Sequence, residues 1–155
     1  MRVEAGILAA VWDSVLGLPL HPLVVHAVVV LVPLVAVGMV VSVLRPTWAE
    51  RLRVVLGALS LAAAAAGVAA RTTGQSLLSR VPGSPEAARH AELSDSLALF
   101  LLGLAGLVVG WAWAGSRGRP TRALGLLSAA GAIVATGWTM LAGHSGAQSV
   151  WGDVL

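Results

Sequence analysis

The sequence predicts an all-α fold, a four-helix transmembrane bundle with a short N-terminal interfacial helix. Two observations carry that prediction. The 155 residues are 57% hydrophobic and only 11% charged, with a mean hydropathy of +0.88, whereas an ordinary soluble domain carries about 25% charged residues. Too little polar surface remains to cover a water-soluble globule. The apolar residues also fall into four runs, each near the roughly 20 residues a helix needs to cross the hydrocarbon core.

The runs are residues 20–44, 52–70, 97–114 and 123–142, each bounded by Arg, Pro, Trp or a polar cluster. Residues 20–155 therefore form one four-span membrane domain, and residues 1–19 a separate N-terminal segment. In that segment Ile7, Leu8, Val11, Trp12 and Val15 recur at helical spacing. This predicts an interfacial helix with Trp12 at headgroup depth. The segment has no basic region beyond Arg2 and no clear small-residue cleavage site, so it is not read as a signal peptide.

Arginine placement sets the expected orientation. The first connection, residues 45–53, holds three arginines, and the third, residues 115–122, holds three more. The second, residues 72–96, offsets Arg80 and Arg89 with Glu86, Glu92 and Asp95. Cytoplasmic loops of membrane proteins carry the excess of basic residues. The expectation is a multi-pass membrane protein with the first and third connections in the cytoplasm and both termini and the second connection outside.

Several function classes are excluded. There is no cysteine, which removes disulfides, thiolate metal sites and iron–sulfur ligation. The pI of about 11.4 comes from arginines at helix ends, not from a basic stripe on a solvated face, so no nucleic-acid partner is expected. The lipid bilayer is the expected environment. Small residues are expected to let the helices approach closely: Gly106 and Gly110 on span three, Ala58, Ala62, Ala66 and Ala70 on span two, and Ser128, Ala132 and Thr136 on span four.

The chemistry is expected at the histidines. His21, His26, His90 and His144 all fall near helix ends on the side expected to be outside. His21 opens span one beside Pro22, which suits a first helical turn. His26 lies five residues further in, about 7.5 Å deeper, and is read as the one histidine inside the hydrocarbon, where an ionisable group signals function. Two chemistries fit. Haem b can be held between two spans by two imidazoles, with His26 and His90 the expected pair, His144 in reserve, and Arg71 or Arg89 near the propionates. Alternatively, His26, His90 and His144 could hold a zinc or copper ion, completed by water or by Glu92 or Asp95. In a third reading the protein is a structural or accessory subunit of a larger membrane complex, its histidines serving as polar links between helices. None of these readings requires enzymatic turnover.

The run Gly17-Leu18-Pro19-Leu20-His21-Pro22-Leu23-Val24-Val25-His26 resembles the His-Pro-x-x-x-His opening of the DUF2231 family of small bacterial membrane proteins. Thr73-Gly74, His90 and the closing Gly143-His144-Ser145-Gly146-Ala147 to Val150-Trp151-Gly152 are similar to its later landmarks. The resemblance implies four spans and an inner-membrane location. Relatives joined to a Rieske-type iron–sulfur domain imply electron transfer, with a redox partner at the outer face. The family ending usually lacks a histidine where His144 stands, which sets His144 apart from His21, His26 and His90. A homo-oligomer or a larger membrane complex is compatible with all of this.

Overall fold

The computed structural model describes residues 14–15, 18–79 and 84–151. Two short extended pieces, β1 (Ser14–Val15) and β2 (Leu18–Pro19), pair antiparallel, with Val15 opposite Leu18. They lead into four helices: α1 (Leu20–Leu44), α2 (Pro46–Leu78), α3 (Pro85–Ser116) and α4 (Arg122–Trp151). All four are long and apolar enough to cross a membrane. The expected interfacial helix, with Ile7, Leu8, Val11 and Trp12, lies outside the described residues; its expected last turn at Val15 is extended chain.

Helix boundaries follow local chemistry. Arg45 alone separates α1 from α2, and Pro46 opens α2 where its missing N–H leaves no bond unmade. Ser84 caps α3 by accepting from the Ala87 N–H at 3.1 Å, with Pro85 in the first turn and Glu86 facing the positive end of the helix dipole. Gly118 supplies the positive φ of 66° that turns the chain from α3 toward α4. Pro33 sits within α1 without ending it, as membrane helices tolerate.

Three helices outrun the apolar segments. α2, α3 and α4 contain 33, 32 and 30 residues, about 45–50 Å at 1.5 Å per residue, against a hydrocarbon core of about 30 Å. The second connection, expected over residues 72–96, is helical at both its ends. Hydropathy reports only where a helix meets lipid. The polar residues that follow, from Arg71 to Leu78 and from Glu86 to Ser96, contain no proline to stop the helix.

Each helix packs chiefly on two neighbours, in the ring α1–α2–α3–α4 and back to α1. Consequently α1 stands diagonally across from α3, and α2 from α4. Val32, Val35, Met39, Leu56, Leu101 and Val108 fill the centre. Val30, Val37, Val54, Leu127 and Met140 are exposed on the outside, as suits side chains that face acyl chains.

The expected small-residue stripes are partly displaced. Ser128 and Ala132 are buried and Thr136 half-buried, as expected, but Ala58, Ala62 and Gly106 are exposed. A Cβ added at Gly106 or Gly110 would meet nothing within 4 Å. The contact on α2 runs instead through Gly57, Ser60, Ala63, Ala64 and Gly67. A strict i, i+4 row advances about 400° per step, so it winds about 120° off the seam over three steps.

The bundle is an internal duplication. A shift of 69 positions carries buried Val28, Val32, Val35, Ala36, Met39 and Ser42 of α1 onto buried Leu97, Leu101, Leu104, Ala105, Val108 and Trp111 of α3. A shift of 72 carries buried Leu56, Gly57, Ser60, Ala63, Gly67 and Ala70 of α2 onto buried Ser128, Ala129, Ala132, Ala135, Thr139 and Ala142 of α4. The α1–α2 and α3–α4 hairpins are thus two versions of one unit, related by a pseudo-two-fold axis along the bundle.

Candidate functional site

The duplication places His21 and His90 at equivalent positions of the two hairpins, at the same end of the bundle. The His21 ring of α1 reaches α2, with Nδ1 2.9 Å from the Ala70 carbonyl oxygen and 3.3 Å from Thr73 Oγ1. The His90 ring of α3 reaches α4, with Nδ1 3.0 Å from the Ala142 carbonyl oxygen and 3.1 Å from Ser145 Oγ. Ala142 and Ser145 are the 72-shifted counterparts of Ala70 and Thr73.

A carbonyl oxygen can only accept, so Nδ1 carries the proton in both rings. In the neutral tautomer Nε2 then keeps its lone pair. Imidazole ligands of metals are oriented in the same way, by a hydrogen bond from the ring nitrogen that does not ligate. The two ring centroids stand 6.2 Å apart with planes at 79°. Two imidazoles bound through nitrogen to one metal at about 2.0 Å would have centroids about 5–6.5 Å apart.

Glycines leave the rings their space. A Cβ on Gly74 would stand 2.9 Å from His21 Cε1, and one on Gly146 would stand 3.0 Å from His90 Cε1. Any larger residue at either position would push its ring aside. Above and around the pair opens a cavity of about 800 Å³, lined by Val25, Leu77, Leu78, Ala87, Ala91, Ala147, Val150 and Trp151 as well as both histidines. Its size falls in the range of about 300–1,000 Å³ typical of small-molecule sites. A smaller cavity of about 50 Å³ lies against the same two rings, bounded by Gly67, Ala70, Ala98, Thr139 and Ala142.

The remaining sequence-predicted residues fall elsewhere. His26 lines the large cavity but is exposed, and its Nδ1 donates to the Pro22 carbonyl one turn back, 2.6 Å away. The 69-residue shift sets it level with Asp95, among the charged groups at the bundle mouth. His144 is exposed and does not line the cavity. Arg71 lines the cavity, but its Nε and Nη2 donate to the two Asp95 carboxylate oxygens at 3.0 and 3.3 Å. Gln75 Nε2 adds contacts of 3.4 Å to both oxygens. The structure therefore pairs His90 with His21, not with His26 or His144. Among the described residues no three His, Cys, Asp or Glu side chains converge as metal ligands would.

The supporting residues Thr73, Gly74, Ser145 and Gly146 were not singled out as a set by the sequence. Their signal is present, as Ala-x-x-Thr-Gly over residues 70–74 and Ala-x-x-Ser-Gly over residues 142–146. It becomes visible only when the two hairpins are compared.

Fold and site together define a four-span membrane bundle with a pair of backbone-oriented histidines at one end. The family model described as "Predicted membrane protein (DUF2231)" matches residues 17–155. The chain belongs to this family. No curated protein and no solved structure matches it.

Proposed function

We propose that the protein binds haem b between His21 and His90 and serves as a membrane electron-transfer protein. The observation that carries this reading is the diagonal histidine pair, 6.2 Å between ring centroids, each Nδ1 committed to a carbonyl. Two oriented imidazoles from facing helices beside a large, mostly apolar cavity suit a planar tetrapyrrole. The group would supply one-electron chemistry. His21 and His90 would hold it through their Nε2 atoms, and the chain would add apolar walls and the Thr73 and Ser145 hydroxyls that steady the rings.

The donor set favours haem over a lone zinc or copper ion. Haem needs two protein ligands and brings four nitrogens of its own, whereas a protein-held zinc ion takes three or four side chains. Asp95 is already engaged by Arg71 and Gln75. A redox partner would approach the histidine end of the bundle. Purified protein from haem-sufficient cells is expected to be red, with a Soret band and α and β bands sharpened by reduction. Colourless protein from such cells ends this reading.

A second reading, an accessory subunit of a membrane complex, is favoured by one observation. The same hydrogen bonds that orient the rings tie α1 to α2 and α3 to α4. On that reading, His21→Ala and His90→Ala lower thermal stability while the preparation is colourless throughout.

A further inference from the structure

The pseudo-two-fold axis makes two seams of the bundle equivalent, α2–α3 and α4–α1, yet their polar contents differ. On the α2–α3 seam, Arg71 and Gln75 of α2 clasp Asp95 of α3. The 72-residue shift carries Arg71 to Gly143 and Gln75 to Ala147, and the 69-residue shift carries Asp95 back to His26. All three members of the clasp are replaced at once. Where the guanidinium stands on one seam, the other has no side chain, and nothing lies within 4 Å of the place a Cβ would occupy on Gly143. Where the carboxylate stands, His26 has its Nδ1 turned back to its own helix at Pro22.

Gly143 lies on the wall of both the large and the small cavity, and His26 on that of the large one. The α4–α1 seam therefore borders both cavities that reach the histidine pair, with no side chain at Gly143 to fill it. In addition, α1 begins at Leu20, whose counterpart Arg89 lies beyond the first turn of α3, so among the described residues the helical part of the wall is about a turn shorter on this seam. We infer that the α4–α1 seam, between Gly143 and His26, is the route by which a planar apolar ligand reaches the histidine pair, while the side chains of Arg71, Gln75 and Asp95 fill the α2–α3 seam. The identity of that ligand as a tetrapyrrole rests on the proposed haem function; the route itself is a property of the ligand-free bundle.

The chain has no cysteine, so a single introduced thiol reports access cleanly. Ser94 lines both cavities and is half-buried. In ligand-free protein in lipid nanodiscs, labelling of Ser94→Cys by a small maleimide is measured alone, with Gly143→Leu, and with Asp95→Asn. Gly143→Leu is tolerated by the open space at that position and by helix propensity. The expected result is labelling slowed about tenfold or more by Gly143→Leu, with little change from Asp95→Asn. Labelling that ignores Gly143→Leu overturns the inference, whether Asp95→Asn speeds it, marking the other seam, or neither variant matters, marking the bundle mouth. With ferric haem as probe, Gly143→Leu should slow uptake; weaker binding with uptake unslowed would mark a binding contact and not a route. If ferric haem does not bind at all, the haem reading falls while the maleimide result still decides the route.

Discussion

His21 and His90 make the same pair of contacts in two different hairpins. Each sets Nδ1 on the carbonyl of an alanine and beside the hydroxyl three residues later, and each lies over the glycine that follows. The two rings meet edge to face across the bundle diagonal. A pair of equivalent, pre-oriented imidazoles is what a two-coordinate ligand site requires, and it distinguishes these two histidines from His26 and His144.

That distinction predicts unequal effects of substitution. Under the proposed haem function, His21→Ala and His90→Ala should each abolish the bis-imidazole spectrum, whereas His144→Ala should leave it intact and His26→Ala should alter it little. Absorption and low-temperature EPR of the four purified variants check the order. Loss of the spectrum in His144→Ala alone would refute the assignment.

The glycines under the rings should be sensitive in parallel. Gly74→Ala and Gly146→Ala each bring a methyl group to 2.9–3.0 Å from a ring carbon. The expected cost is about 1–3 kcal/mol of stability from overpacking and, under the proposed haem function, a shifted reduction potential as the ring tilts. Thermal unfolding and a redox titration measure the two effects separately.

On α3 and α2 the contrast lies between two glycines that sequence alone treats alike. A side chain at Gly67 would meet Leu101 Cδ1 at 2.9 Å and the Ala98 backbone at 3.7 Å, whereas Gly106 is open. Gly67→Leu should therefore destabilise the bundle by several kcal/mol and Gly106→Leu should be neutral. Detergent-resistance melting of the two variants decides whether the close helix approach is at Gly67.

The Arg71–Asp95 ion pair is about a third exposed on both sides, with side-chain accessibilities of 37% and 36%. Its contribution should be modest, about 0–1 kcal/mol, and should fall as salt rises. A double-mutant cycle with Arg71→Gln and Asp95→Asn is the measurement. A coupling well above that range would mean that the clasp is desolvated in the membrane.

Because the two hairpins are separate versions of one unit, the chain should tolerate a break between them. Residues 1–82 and 83–155, coexpressed as two polypeptides, are expected to co-purify and to rebuild the histidine pair. Failure to associate, with each half separately stable, would show that the covalent connection is needed.

The sequence by itself determined the class of fold. Four apolar runs of sufficient length leave no other way to satisfy backbone hydrogen bonds in lipid, and all four appear as helices. It also determined that titratable chemistry gathers at one end, since His21, His90, Arg71 and Asp95 all line the same cavity. Only the tertiary structure decided which histidine meets which. Helical spacing fixes a residue's angle on its own helix but not the rotation of that helix against its neighbours. His26, five residues from His21, was the more conspicuous reading; rotation of α1 turns His21 inward onto Ala70 and leaves His26 exposed against Pro22. In the same way, the rotations of α2 and α3 leave Ala58 and Gly106 outside the interior and bring Gly67 and Ala98 together. The pairing of two histidines 69 positions apart depends on the diagonal placement of α1 and α3, which is set by how four helices close into a ring.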